Sequence, residues 1–300
     1  MKPPNINPFV RGALILGAAI VLIPMATVCS ADRVPTVFLT HFYATLDMRS
    51  YDALQNSPEV AALAHVEERH VAAGGRVWSG FYLYGHETYI ELFGAAPTSA
   101  GHSLDDSGLG LTVERPGGVA AIADRLRGAF GEKVEMEAVP RSFPQGEVPW
   151  FTATDIKSSG AVKLSTWFME IDPGYLAAKH PGSRIAHPLS RRQYLSWDFL
   201  PERPFENVVG LTAALHRVDM GQLASELELA GWVVQRAGGG FVAIGPDVKV
   251  TVVPAAGART GIMQAELRLS QSVPSQEIAL GDVKLLLEGE TARFVFWTSN

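Results

Sequence analysis

Residues 37–46 read VFLTHFYATL, a strand-like, aromatic-rich run that ends at Asp47-Met48. Asp47 stands where a helix N-cap is wanted, because a short side-chain oxygen can take a backbone N–H of the first turn. Residues 48–70 are expected to be helical in two pieces, the second restarted by Ser57-Pro58-Glu59, with Ser57 as cap and Pro58 at the first helical position. Gly74-Gly75 closes that helix. Residues 78–85 (WSGFYLYG) and 88–94 (TYIELFG) then read as two strands about a tight turn, with room for a short strand between His70 and Trp78.

Working outward, the same order returns. After a polar Gly/Ser-rich stretch at 97–107, residues 109–114 (LGLTVE) form a strand. A helix over 116–130 carries Val119, Ile122, Ala123, Leu126 and Phe130 on one stripe, and strands follow at 134–139, 150–155 and 164–171. Residues 173–206 hold five prolines with Arg184, Arg191 and Arg192, and read as an ordered but irregular connector. A third unit has a strand at 208–218, a helix capped by Asp219 with Gln222 completing a capping box, and strands at 232–236, 241–244 and 249–253. A fourth, at 261–270, 277–280, 284–287 and 292–297, is all strand. TLDMRSYDAL (45–54) and RVDMGQLASEL (217–227) place Asp-Met at corresponding junctions, which suggests duplicated modules.

Composition narrows the rest. The 300 residues carry 25 Lys+Arg against 31 Asp+Glu, a formal charge of −6, and one cysteine. An acidic chain lacks the basic face of a general nucleic-acid binder. A single cysteine excludes an intramolecular disulfide and a Cys-rich zinc site. Lys2 and Arg11 precede the apolar run GALILGAAIVLIPMATV (12–28) and then Cys29-Ser30-Ala31, the pattern of a secretory signal peptide over 1–31. The run is short for a spanning helix and holds Pro24. Cleavage after Ala31 would leave a cysteine-free, secreted or periplasmic chain with no stable membrane span.

Four serial modules of this kind resemble the vicinal oxygen chelate superfamily, to which the glyoxalase-like proteins belong. The motifs THFY, WSGFYLYG and TYIELF are also similar to a family of secreted bacterial glyoxalase-like proteins of unknown function. The resemblance implies an α+β fold of tandem βαβββ modules pairing into two glyoxalase-like domains, over 32–172 and 207–300, with 173–206 between them. It places metal ligands at His41, Glu91 and Glu170, with the fourth position on Leu111, which cannot bind a metal. One imidazole and two carboxylates suit one divalent ion, Zn, Mn, Fe or Ni. Such an ion would polarise a carbonyl or enediolate oxygen, and Glu91 or Glu170 would serve as the catalytic base. The second pair is degenerate. Aligning Asp219 with Asp47 puts Ala213 where His41 stands, and the last strands VKVTVV and ARFVFW hold no acid.

Plainer readings stand beside these. A lone His41 in an aromatic strand is also an ordinary core or pocket residue. Glu91 and Glu170 each sit inside an apolar strand, where a charge is costly unless paired, coordinated or turned to solvent. Strand alternation puts Tyr89 and Phe93 with Glu91, and Thr166 and Phe168 with Glu170. His65 and His70 lack the spacing of a helical zinc pair. Residues 237–240 (AGGG) precede a strand and read as a hairpin turn. Arg184, Arg191 and Arg192, with His180 and His187, form a basic patch in an acidic chain, which reads as a site for an anionic ligand or, more simply, as solvated arginines on a packed connector.

Three functions are therefore expected. The first is a metal-dependent lyase or isomerase acting on a small carbonyl or oxygenated compound. The second is a metal-free binding protein whose small-molecule ligand lies among Tyr43, Tyr82, Tyr89, Phe93 and Phe168. The third is an interaction module that forms a homodimer.

Overall fold

The Asp47 carboxylate accepts hydrogen bonds from Ser50 N (3.0 Å) and Ser50 Oγ (2.6 Å), and so ends strand β1 (Val37–Leu46) and starts helix α1 (Met48–Gln55). The computed structural model describes residues 34–73, 76–95, 103–157 and 164–298. The signal-peptide expectation at 1–31, the Gly74-Gly75 break and most of the 97–107 stretch lie outside them. Ser57 caps helix α2 (Pro58–Leu63) through Val60 N, with Pro58 in its first turn, as the sequence predicts.

The expectation of a helix running to residue 70 is overturned. Residues His65–Ala73 form strand β2, paired antiparallel with β3 (Arg76–Tyr84) from His65↔Tyr84 to Ala73↔Arg76. Pairing with an aromatic-rich strand outweighs the modest helical preference of HVEERH. Strand β4 (Tyr89–Gly94) follows β3 as a hairpin and returns parallel to β1. The order repeats in β5 (Ser107–Val113), α3 (Gly118–Phe130), β6 (Val134–Phe143), β7 (Gly146–Ile156) and β8 (Leu164–Ile171). Among the described residues these strands close a barrel in the order β1-β4-β3-β2-β6-β7-β8-β5. One seam is slight: β2 and β6 meet at a single pair, Ala73 with Arg141.

The connector carries α4 (Pro173–Lys179), capped by Asp172, and α5 (Arg191–Leu195), capped by Ser190. Beyond it come β9 (Phe205–Leu215), α6 (Arg217–Leu229), β10 (Val233–Ala237), β11 (Gly240–Ile244) and β12 (Lys249–Pro254). Two details differ from expectation. His216, not Asp219, is the N-cap of α6, and Gln222 donates to Glu226 Oε1 (2.8 Å) instead of reaching back to the cap. The two Asp-Met junctions are therefore not equivalent. The β1–β4 register ends at Leu46↔Gly94 and the β9–β12 register at Leu215↔Pro254, which puts Gly210, not Ala213, at the place of His41. The AGGG turn is a hairpin, with Gly238 and Gly239 at φ 61° and 82°, where a side chain would be strained.

The four short strands expected at the C-terminal end are two long ones, β13 (Gly261–Leu280) and β14 (Val283–Val295). Register irregularities between Arg268 and Gln276 let the pair continue past Pro274. The second sheet runs β10-β11-β12-β9-β13-β14. Both sheets are mixed. Val34–Asn300 form one compact unit. A single apolar core joins α1, α2, α3 and the helix-side face of β1 and β5 to β9, β13 and β14, with Phe42, Leu111, Phe168, Phe205 and Phe294 fully buried in it. Trp232 Nε1 donates to Val37 O (3.0 Å) across this junction. No helix among the described residues is long and apolar enough to cross a membrane.

Candidate functional site

His41 lies at the centre of the barrel wall, level with Tyr89 of β4 on one side and Gly110 of β5 on the other. Its ring stacks on Tyr89 with centroids 4.4 Å apart and meets the edge of Trp167 at 5.1 Å. His41 Nε2 is 3.9 Å from Glu91 Oε1. His41 is 3% exposed, and its Nδ1 has no hydrogen-bond partner among the described residues. Burial pushes its pKa down to about 3. Burial likewise pushes Glu91 up to about 8, against the opposing pull of the Tyr89 hydroxyl and the Arg69 charge. Near neutral pH the pair is thus an imidazole beside a largely protonated carboxyl, with Glu91 open to the cavity at 14% side-chain exposure.

Glu170 is elsewhere. Its two carboxylate oxygens accept from Gly117 N (2.9 Å) and Val119 N (3.3 Å), at the start of α3. Gly117 carries no capping side chain, so Glu170 supplies from a neighbouring strand the oxygens a helix N-terminus needs. Alternation explains the placement. Trp167 turns toward His41, and Met169 packs against Tyr175 and Leu176. Phe168 lies on the opposite face of β8, in the core shared with α3, and Glu170 is on that face too. Leu111 is also on the helix side, and the interior position beside His41 is Gly110. His41 and Glu91 thus meet inside the barrel, Glu170 does not join them, and the three-ligand arrangement is not assembled. Two protein donors are fewer than the three a catalytic zinc site uses.

The interior holds a cavity of about 380 Å³. Tyr82, Tyr84 and Tyr89 form a stacked wall, with centroids 5.8–6.2 Å apart. The connector adds Tyr175, Tyr194 and Leu195 to the lining, with Tyr194 and Leu195 packed against the tyrosine wall, and β7 adds Trp150. Trp150 Nε1 donates to the Tyr194 hydroxyl (3.2 Å) and Trp78 Nε1 to that of Tyr82 (3.0 Å). Burial raises Tyr82, Tyr84, Tyr89 and Tyr194 above the ordinary phenol range, so they stay neutral. Of the five aromatics expected around a ligand, Tyr82 and Tyr89 line the cavity. Tyr43 and Phe93 instead pack on each other (5.6 Å), and Phe168 is in the helix-side core. Burial also raises Tyr43, to about 12.

A polar cluster stands at the rim. Arg69 donates to Asp198 Oδ1 and to Glu67 Oε2, each at 2.7 Å, and its guanidinium lies 4.9 Å from the Tyr84 ring centre. Lys179 Nζ reaches Asp198 Oδ2 at 3.4 Å. Burial lowers the Lys179 pKa, and Asp198 opposes it. Arg141 lies over the Trp150 ring at 5.1 Å. The sequence reading missed these residues. Arg69 sat inside an expected helix, and the Tyr82/Tyr84 alternation was the one visible signal. No spacing marks Tyr175, Lys179, Tyr194 or Asp198 as neighbours of β2.

The basic patch is also resolved differently. Arg191 is 4% exposed, and not solvated. Its side chain reaches Leu39 O (2.5 Å), Asp247 (2.6 Å), Glu87 (3.3 Å) and Glu114 (3.4 Å), tying the connector to both sheets. Arg192 pairs with Glu87 at 2.8 Å. His180 stacks on Trp197 at 4.1 Å.

A family model described as "Family of unknown function (DUF5829)" matches residues 39–296. No curated protein matches the chain. Among solved structures, one described as a "xylose isomerase-like TIM barrel/4-hydroxyphenylpyruvate dioxygenase fusion protein" is similar at a TM-score of 0.38 and 11% identity. The match covers 77% of this chain and 35% of that one.

Proposed function

We propose, for a chain that belongs to this family of unknown function, that the barrel cavity binds a small ring-bearing molecule without help from a metal ion. The observation that carries this reading is the lining: three stacked tyrosines, with Tyr175, Tyr194 and Trp150, surround about 380 Å³. That volume is within the range of small-molecule pockets, and beside the aromatic wall the lining carries charged groups, among them Arg69, Arg141, Lys179 and Asp198. The stacked wall favours a flat ligand over a branched aliphatic one. With the N-terminal leader read as a secretory signal, the protein would act outside the cytoplasm.

A metal-dependent lyase or isomerase is the second reading, favoured by His41 and Glu91 facing one another inside the barrel at 3.9 Å. Those two residues alone do not make up the expected ligand set. Thermal-shift screening of chelator-treated protein, with and without added Zn, Mn, Fe or Ni, separates the two. Flat ring compounds are expected to raise the melting temperature equally in both arms. Stabilisation that appears only with a metal would overturn the metal-free reading in favour of the second. No stabilisation by any ring compound at millimolar concentration would overturn the binding reading itself.

A further inference from the structure

We infer that the cavity takes an aromatic monoanion, a flat ring bearing one carboxylate, with Arg141 receiving the charge; this rests on the cavity being the ligand site proposed above. Of the cations at the cavity, Arg69 is engaged by Asp198 and Glu67, and Lys179 by Asp198. Arg141 makes no ion pair among the described residues and lies over the face of Trp150. A guanidinium carries its N–H donors in a planar fork that matches the two oxygens of a carboxylate.

Its position suits the role. Arg141 stands at the single pair that joins β6 to β2, and the cavity is lined from there by consecutive residues of β2, 67–71. An anion entering along this seam meets Arg141 while its ring reaches the tyrosine wall. Of the cavity carboxylates, Glu67 and Asp198 are held by Arg69, Glu68 accepts from Gln55 Nε2 at 3.0 Å, and Glu91 stands 3.9 Å from His41 with burial favouring its protonated form.

Isothermal titration of chelator-treated protein with 2-naphthoate, 2-naphthylmethanol and 2-naphthylmethylammonium tests this. Wild type is expected to bind the carboxylate at least tenfold more tightly than the alcohol or the ammonium. Arg141→Gln should lose that preference and leave the alcohol within twofold. Arg115→Gln, which removes an exposed charge away from the cavity, should change neither. Equal binding of carboxylate and alcohol by wild type, or an Arg141→Gln variant that keeps the preference, would overturn the anion class and leave the cavity reading intact. Binding of none of the three would overturn the cavity reading and this inference with it. Should Arg141→Gln fail to fold, the ranking of the three probes on wild type still decides.

Discussion

The ring of His41 occupies the space that a side chain on Gly110 would need. The two residues are cross-strand partners on β1 and β5, and a Cβ on Gly110 would collide with the imidazole. Gly108 makes the same concession to Tyr43 and Trp167. The barrel interior is closed at this level by rings lying across glycines, which leaves the open volume beside Tyr82, Tyr84 and Tyr89. Gly110→Ala is accordingly expected to destabilise the protein by about 1–3 kcal/mol through overpacking. The double variant with His41→Ala should recover part of that loss, because the colliding ring is gone. Urea denaturation of the two single variants and the double variant measures it. Purely additive losses would show that the two residues do not compete for space.

Stability should depend on pH through Glu91. In the folded protein its pKa is raised from 4.5 to about 8, so the native state holds the proton more tightly than the unfolded chain. That contribution is present in full below pH 4.5 and is lost as pH rises toward 8, at most about 1.4 kcal/mol per pH unit. His41 runs the other way. Its pKa falls from 6.5 to about 3, so its contribution is present above pH 6.5 and is lost as pH falls toward 3. The two slopes oppose between pH 4.5 and 6.5, and the Glu91 slope stands alone above. Wild type should therefore be less stable at pH 8 than at pH 6.5, and Glu91→Gln should remove most of that difference. An unchanged difference in Glu91→Gln would assign it to other groups.

Glu170 serves helix α3, so its removal should be felt in stability and not in the cavity. Glu170→Ala leaves the Gly117 and Val119 N–H groups without their carboxylate, at an expected cost of about 1 kcal/mol. Ligand affinity should stay within twofold. A variant of unchanged stability that lost a divalent ion or ligand would place Glu170 in the site after all.

Arg191 links the connector to both sheets with one guanidinium. Arg191→Ala strands Leu39 O and releases Glu87, Glu114 and Asp247, and is expected to cost about 3–5 kcal/mol. Arg191→Lys should recover only a small part, since one ammonium cannot span those partners in a fixed fork. Denaturation midpoints of the two variants provide the check. Full rescue by Lys would show that charge alone is needed.

Much of the fold is legible locally. Asp47 and Ser57 start helices where their side chains predict, and the AGGG turn makes the hairpin its glycines require. What was misread depended on a partner distant in sequence. Residues 65–70 have helical composition and become a strand because β3 pairs with them. Asp219 looks like a cap beside Asp47, yet the cap of α6 is His216, three residues earlier.

The site shows the same division. Period-two alternation correctly groups Tyr89 with Glu91 and Phe168 with Glu170, since that grouping follows from the pleat of a single strand. It is silent on which face of each strand turns inward. Glu91 faces the cavity because its strand leaves that side to the barrel interior. Glu170 faces outward because α3 packs on its side of β8 and needs an anion at its first turn. The caps of α1 and α2, the hairpin geometry and the face groupings are properties of neighbouring residues, and the sequence by itself determined them. The meeting of Arg69, Lys179 and Asp198, the placing of Arg141 over Trp150 and the parting of the two glutamates were decided only when barrel closure and helix packing chose an inside.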